Sequence, residues 1–137
     1  MTLRGAGIVI TGGSKGLGKG LAVALARRGA RLFLTARGKD ELDRVVRAVR
    51  AQGGEAHGWV SDIADKEAIY PLAGAAQAAL GHIDILIHNA SALGPSPLRP
   101  LLDTDCEHLE RALAVNLVGP FRLSKALHGP MAMRGRG

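Results

Sequence analysis

An open, doubly wound parallel α/β sheet is the fold class that the sequence predicts. Three observations carry it: short apolar β-branched runs recur along the chain, amphipathic stretches of helical period separate them, and glycines stand at the junctions. Alternation of this kind requires crossover connections, which parallel strands need and antiparallel hairpins do not. The first run, Gly7–Thr11 (GIVIT), reads as a buried strand. Leu17–Arg28 follows with helical spacing through Leu17, Leu21, Ala24 and Leu25, and Gly29 is placed to end that helix in a left-handed turn. Arg31–Thr35 is the second strand. Asp40–Ala51 carries Leu42, Val45, Val46 and Val49 at three- and four-residue spacings, the stripe of a helix packed on one face, and Gly53-Gly54 closes it.

Ala56–Val60 is the third strand, and Lys66–Leu80 an alanine-rich helix with Asp65 as its cap. Pro71 lies too far inside that helix for its ring to fit, which predicts a kink or a late start. Ile83–Ile87 is the fourth strand. Beyond the proline-rich stretch 94–100, Thr104-Asp105-Cys106-Glu107 has the form of a capping box for a long helix reaching about Leu127. The segment 128–137 shows no periodicity. The order β-α-β-α-β-α-β-α places ligands beyond the carboxyl ends of the strands.

Size and composition narrow the function classes. A chain of 137 residues suits one domain, and 47% hydrophobic against 22% charged residues excludes a disordered chain. The single cysteine, Cys106, excludes an intramolecular disulfide and fits the cytoplasm. The first ten residues run directly into a glycine loop and read as a strand, not as a signal peptide, and no apolar run is long enough to span a membrane. A formal charge of +6 and a pI of about 10.2 suit an anionic partner. The basic residues are scattered, however, and one Trp, one Tyr and two Phe offer few stacking platforms, so a basic nucleic-acid-binding domain ranks low. Five histidines without ligand spacing and one cysteine argue against a metal site; the histidines read as structural or surface residues, and Trp59 as packing.

Chemistry concentrates just after the strands. Thr11-Gly12-Gly13-Ser14-Lys15-Gly16-Leu17-Gly18 lies between a strand and a helix, where backbone amides and the helix dipole can cradle a pyrophosphate. Glycine answers three needs there: a tight turn, backbone approach to phosphate, and close helix packing. The end of the second strand reads Thr35-Ala36-Arg37. It has no acid to accept ribose hydroxyls, and Arg37, with Lys15, can instead meet a 2′-phosphate. Asn116 is polar in an apolar helical stretch and should have a specific partner. Pro120 lacks the N–H that the Asn116 carbonyl would otherwise receive, leaving room for a water.

The Gly-x-x-x-Gly-x-Gly spacing, together with Asp62-Ile63, Asn89-Ala90-Ser91 and Asn116 in that order, resembles the short-chain dehydrogenase/reductase family over nearly the whole chain. One departure is His88-Asn89-Ala90-Ser91, where the family has Asn-Asn-Ala-Gly. The resemblance implies a Rossmann-type sheet over residues 1–137 that binds NADP(H) ahead of NAD, with Gly12, Ser14, Lys15, Gly16, Leu17, Gly18, Arg37, Asp62, Ile63, Asn89 and Ala90 around the cofactor. It places Asp62 and Ile63 at the adenine and Asn89 at the sheet and ribose, and it makes Asn116 a member of the catalytic tetrad. It further implies hydride transfer between nicotinamide and a small carbonyl or secondary alcohol, and a homo-oligomer built partly on the long helix.

The resemblance also exposes a gap. The family's acid/base tyrosine, its lysine and its serine have no counterpart: the only tyrosine is Tyr70, in the helix before the fourth strand, and Gly74 stands where the lysine would be. The expectation is the amino-terminal half of a reductase, cut after the fourth strand and its following helix, inactive by itself and with an apolar sheet edge open to another chain. The alternative is a non-catalytic nucleotide-binding or interaction module complete at 137 residues.

Overall fold

The four apolar runs form strands of one parallel sheet. In the computed structural model, which describes residues 2–137, β1 (Gly7–Thr11) pairs with β2 (Arg31–Ala36) on one side and with β4 (Ile85–Ile87) on the other, and β3 (Glu55–Val60) lies outside β2. The strand order is β3-β2-β1-β4. The chain therefore winds outward through β2 and β3, then crosses back to the far side of β1. Connections on the two sides of β1 leave in opposite directions, and this switch point opens a crevice at the carboxyl ends of β1 and β4.

Period-two alternation divides the core between two layers. Ile8, Ile10, Leu32 and Leu34 face α1 (Gly16–Ala26) and α2 (Lys39–Ala51), where Ala22, Leu42, Val45, Val46 and Val49 meet them. Val9 and Phe33 face α3 (Ile69–Leu80) and α5 (Gly119–Met133) through Ile69, Leu72, Ala76, Leu80, Leu123 and Leu127. Each fully buried Leu, Ile or Phe contributes about 1.5–3 kcal/mol relative to exposure, so this sandwich dominates stability. All four residues of the α2 stripe expected from sequence are buried.

Local punctuation follows the chemistry. α1 closes as expected at Gly29, whose N–H donates to Ala26 at 2.9 Å while that of Ala30 donates to Leu25 at 3.2 Å. The late start at Pro71 is also observed: Lys66–Ala68 form a 3₁₀ turn capped by Asp65, which accepts from the Glu67 amide at 2.9 Å, and α3 begins at Ile69. Pro71 is then the third residue of the helix, where an N–H has no intrahelical partner to lose.

Three expectations near the carboxyl terminus are corrected. The Thr104 hydroxyl does not cap a helix; it donates to the Pro100 carbonyl at 2.9 Å, because a 3₁₀ turn at Leu101–Asp103 brings that carbonyl within reach, and Asp105 is the N-cap residue, without a side-chain cap bond. The long helix is not continuous. α4 (Cys106–Leu113) passes into a π turn at Ala114–Val118, where the Gly119 amide reaches back to Ala114, and α5 resumes beyond it. Finally, α5 runs on to Met133 rather than stopping at Leu127: Met131 extends the stripe begun by Leu123 and Leu127, and Arg134 Nη2 donates to the Ile83 carbonyl at 2.6 Å. Among the described residues no helix is long and apolar enough to cross a membrane.

Candidate cofactor site

The site begins where β1 ends. At the turn Gly12 has φ +67°, and a Cβ there would meet the Ala90 Cα at 2.9 Å. A Cβ on Gly18 would lie 2.2 Å from the Gly12 carbonyl oxygen and 2.5 Å from Asn89 Nδ2, so only glycine lets α1 approach the loop this closely. The N-cap of α1 is Lys15, with no side-chain cap bond and no acid in the first turn. Its first amides therefore face the crevice without a built-in anion.

Asn89 ties the ends of β1 and the edge strand β4 together above the crevice. Its Nδ2 donates to the Thr11 carbonyl at 3.1 Å and the Gly12 carbonyl at 3.0 Å, while the backbone amides of Asn89 and Ala90 both donate to Thr11 Oγ1 at 3.1 Å. Side-chain bonds thus replace the ladder where the strands separate. Thr11 is half of this knot, and its only signal in the sequence is a hydroxyl at the end of an apolar strand.

The loop, the ends of β2 and β3 and the segment after β4 enclose a cleft of about 740 Å³, a size typical of small-molecule and cofactor sites. Of the residues singled out from sequence, Gly12, Ser14, Lys15, Gly16, Leu17, Arg37, Asp62, Ile63, Asn89 and Ala90 line it. Gly18 lies behind the loop. Asn116, in the π turn, stands one layer away: its Oδ1 accepts from the Ala92 amide at 2.9 Å and its Nδ2 donates to the Ala92 carbonyl at 2.7 Å. The expected specific partner exists, and through Ala92 it fixes one wall of the cleft.

Charge is unevenly distributed around this wall. Arg37 is exposed at the end of β2, while Lys15 Nζ pairs with Glu41 Oε1 at 3.1 Å. Burial pushes the Asp62 carboxyl upward, but Arg111 Nη2 at 2.5 Å, the Ala64 amide at 3.0 Å and the nearby Arg37 outweigh it and hold the group below the usual carboxylate range. Asp62 is therefore a turn residue and half of an ion pair as well as part of the cleft wall. Its oxygens keep free lone pairs. His88 Nε2 is 2.8 Å from Ser124 Oγ, and burial pushes its imidazole below the ordinary value. Glu41 and His88 were missed as site residues; the acid in the first turn of α2 was the available signal for the former.

Two cleft residues show unmet polar capacity. Thr35 Oγ1 and Ser61 Oγ are buried and have no hydrogen-bond partner. Buried hydroxyls are normally satisfied, so these two are exceptions to that rule. The uncapped start of α1 and the close-packed glycine loop fit a nucleotide cofactor.

The sequence profile of the short chain dehydrogenase family matches residues 6–137. The chain belongs to this family. Among short-chain dehydrogenases, the gluconate 5-dehydrogenase of Gluconobacter oxydans is 35% identical over 136 residues, which cover 99% of this chain and 52% of that enzyme. A metagenomic short-chain oxidoreductase crystallised in complex with NADP matches 100% of this chain and 61% of its own at 35% identity and a TM-score of 0.92. NAD+-bound xylitol dehydrogenase matches 100% and 52% at 27% identity and a TM-score of 0.92. The chain thus spans about half the length of the curated relatives it matches. The parallel, Rossmann-type α/β sheet expected from sequence is the fold found.

Proposed function

We propose that this chain forms the cofactor-binding portion, residues 1–137, of an NADP(H)-dependent short-chain oxidoreductase acting on a small carbonyl or secondary alcohol. The observation that carries the reading is the charge at the ribose end of the cleft. No acid stands at the end of β2, and Arg37 and Lys15 both line the wall there. The bound nicotinamide would supply or accept the hydride. The loop from Gly12 to Gly18 holds the pyrophosphate through amides at the start of α1, and Ser14, Gly16 and Leu17 shape that cradle. Arg37 and Lys15 take the 2′-phosphate, which a planar guanidinium can meet with two parallel hydrogen bonds. Asp62 and Ile63 receive the adenine, and Asn89 and Ala90 approach the ribose. Asn116 positions the 90–92 segment and belongs to the tetrad implied by the resemblance.

The tyrosine, lysine and serine that would move the proton are not in this sequence, so cofactor binding without turnover is the activity assigned to these residues alone. Leu109, Leu113, Leu117 and Phe121 form an exposed apolar stripe at four-residue spacing along α4, the π turn and α5. A surface of this kind supports the homo-oligomer reading. The single cysteine, Cys106, is free and exposed, in keeping with a cytoplasmic protein.

Titrating the chain with NADPH and NADH by nicotinamide fluorescence tests the reading. Charge-assisted bonds to the 2′-phosphate should make NADPH the tighter ligand by about ten-fold or more, and Arg37→Ala should remove most of that margin while leaving NADH unchanged. A folded sample that binds neither nucleotide, or a preference for NADH that Arg37→Ala leaves intact, would refute it.

A further inference from the structure

One of the two cations assigned to the 2′-phosphate is already engaged. Lys15 Nζ lies 3.1 Å from Glu41 Oε1, an exposed pair that joins the glycine loop to the first turn of α2. Glu41 is the third residue of α2, whose N-cap, Gly38, provides no side-chain cap bond. The carboxylate also accepts from its own backbone amide, and Oε2 sits 2.5 Å from the point where a Cβ on Gly38 would be. It is therefore folded back over the helix start, on the cleft wall beside Arg37. A lysine, the positive end of a helix and a neighbouring arginine make an anion site, and the anion seated in it belongs to the chain.

We propose that Glu41 is a specificity-determining residue: its carboxylate is an internal competitor that occupies the corner between Lys15 and Gly38 and must swing out before the cofactor's 2′-phosphate can enter. The inference rests on the NADP(H) reading of the same cleft and adds the residue that opposes it. NAD(H) has no phosphate to displace the pair, and its ribose hydroxyls can donate to the same carboxylate. Glu41 thus favours NAD(H) where Arg37 and Lys15 favour NADP(H). The Lys15 hydrogen bond, the backbone amide and the Lys15 and Arg44 charges keep this carboxylate below the usual range, so it stays ionised throughout the pH range of cofactor binding.

Removing the charge while keeping the shape should release Lys15. Breaking an exposed ion pair costs little, and the released Lys15 is then free to make a charge-assisted hydrogen bond to the phosphate, so Glu41→Gln should tighten NADPH about ten-fold. NADH affinity should stay within about two-fold or weaken, since it brings no 2′-phosphate for the released Lys15 to meet. The measurement is a fluorescence titration of the 137-residue chain, wild type, Glu41→Gln, Lys15→Met and the double variant, with NADPH and NADH, after circular dichroism has shown each to be folded. In the Lys15→Met background the Glu41→Gln gain should shrink to about three-fold or less, because the cation being released is gone. A gain of full size in that background overturns the competition. An NADPH preference that Glu41→Gln leaves unchanged overturns the proposal while sparing the cofactor reading. If neither wild type nor Glu41→Gln binds either nucleotide, both fall together.

Discussion

Gly18→Ala and Gly20→Ala set intrinsic helix propensity against steric contact within two turns of one helix. Both residues lie inside α1, where alanine is favoured over glycine by about 1 kcal/mol. At Gly20 an added Cβ meets nothing within 4 Å, so the propensity gain should appear nearly whole, as a stabilisation of about 0.5–1 kcal/mol. At Gly18 the same atom would lie 2.2 Å from the Gly12 carbonyl oxygen and 2.5 Å from Asn89 Nδ2. The carbonyl is backbone and cannot rotate away. Relief requires α1 to withdraw from the loop or Asn89 to release its bonds to Thr11 and Gly12. Overpacking of this kind costs about 1–3 kcal/mol, and the upper end applies because a main-chain atom is struck. After the propensity gain, Gly18→Ala should be about 2 kcal/mol less stable than wild type, and the two variants should differ by about 3 kcal/mol. Urea unfolding followed by far-ultraviolet circular dichroism measures this directly, with the slope checked to confirm two-state behaviour. If Gly18→Ala proves as stable as wild type, or if both variants shift in the same direction by similar amounts, the loop is not packed as described and the account of the cradle fails with it.

Two further outcomes follow from the cleft wall. Burial places the His88 imidazole below its usual value of 6.5, so the unfolded chain takes up this proton at a higher pH than the folded one. The stability contributed by the neutral ring is therefore complete above about pH 6.5 and is lost as the pH falls toward the folded value; His88→Asn should flatten the decline between about pH 7 and 5.5 in urea midpoints, and an unchanged slope would remove His88 from the titration. Thr35 Oγ1 is buried without a partner, so Thr35→Val should cost nothing or stabilise the chain by up to about 1 kcal/mol, in contrast to the usual penalty for deleting a satisfied hydroxyl. A loss of more than about 1 kcal/mol on thermal or urea unfolding would show that the hydroxyl is bonded after all.

What could be read from sequence is what short-range chemistry decides. The stripe of Leu42, Val45, Val46 and Val49, the close at Gly29 and the delay at Pro71 each depend on residues within one or two helical turns, and all three are found. The cleft residues were legible for a related reason. Once strands alternate with helices, whatever follows a strand's carboxyl end is brought to one side of the sheet, so Arg37, Asp62 and Asn89 converge although 52 residues separate the first from the last. Most of the failures involve long-range partners, and Thr104 is the local exception. Thr104 fits a capping box, yet the nearby Pro100 carbonyl takes its hydroxyl. The π turn adds a residue to the ladder just before Gly119, where a Cβ would lie 2.3 Å from the Ile63 carbonyl. The extension to Met133 rests on Arg134 reaching Ile83. Glu41 escaped notice as a site residue because its role comes from a lysine 26 positions earlier, and no periodicity reports such a pair.

The helix starts around the cleft explain why one of them is free for a ligand. A helix amino terminus exposes amides with no intrahelical partner and a partial positive charge, and chains usually supply the missing acceptor themselves. The turn before α3 does so with Asp65, and in α2 the Glu41 carboxylate folds back to its own amide. α1 does neither: its N-cap is a lysine and its first turn has no acid. An uncapped helix start costs about 1 kcal/mol relative to one with a good cap. The cost falls where the glycine loop leaves room for phosphate, which is what a cradle completed by its ligand requires. The start of α2, with Glu41 folded over it, is the reverse case. There the acceptor is built in, and an incoming phosphate must displace Glu41 before it can use Lys15. The same electrostatics therefore make the pyrophosphate position receptive and the 2′-phosphate position contested, so discrimination between the two dinucleotides turns on the second of these helix starts and not on the glycine loop.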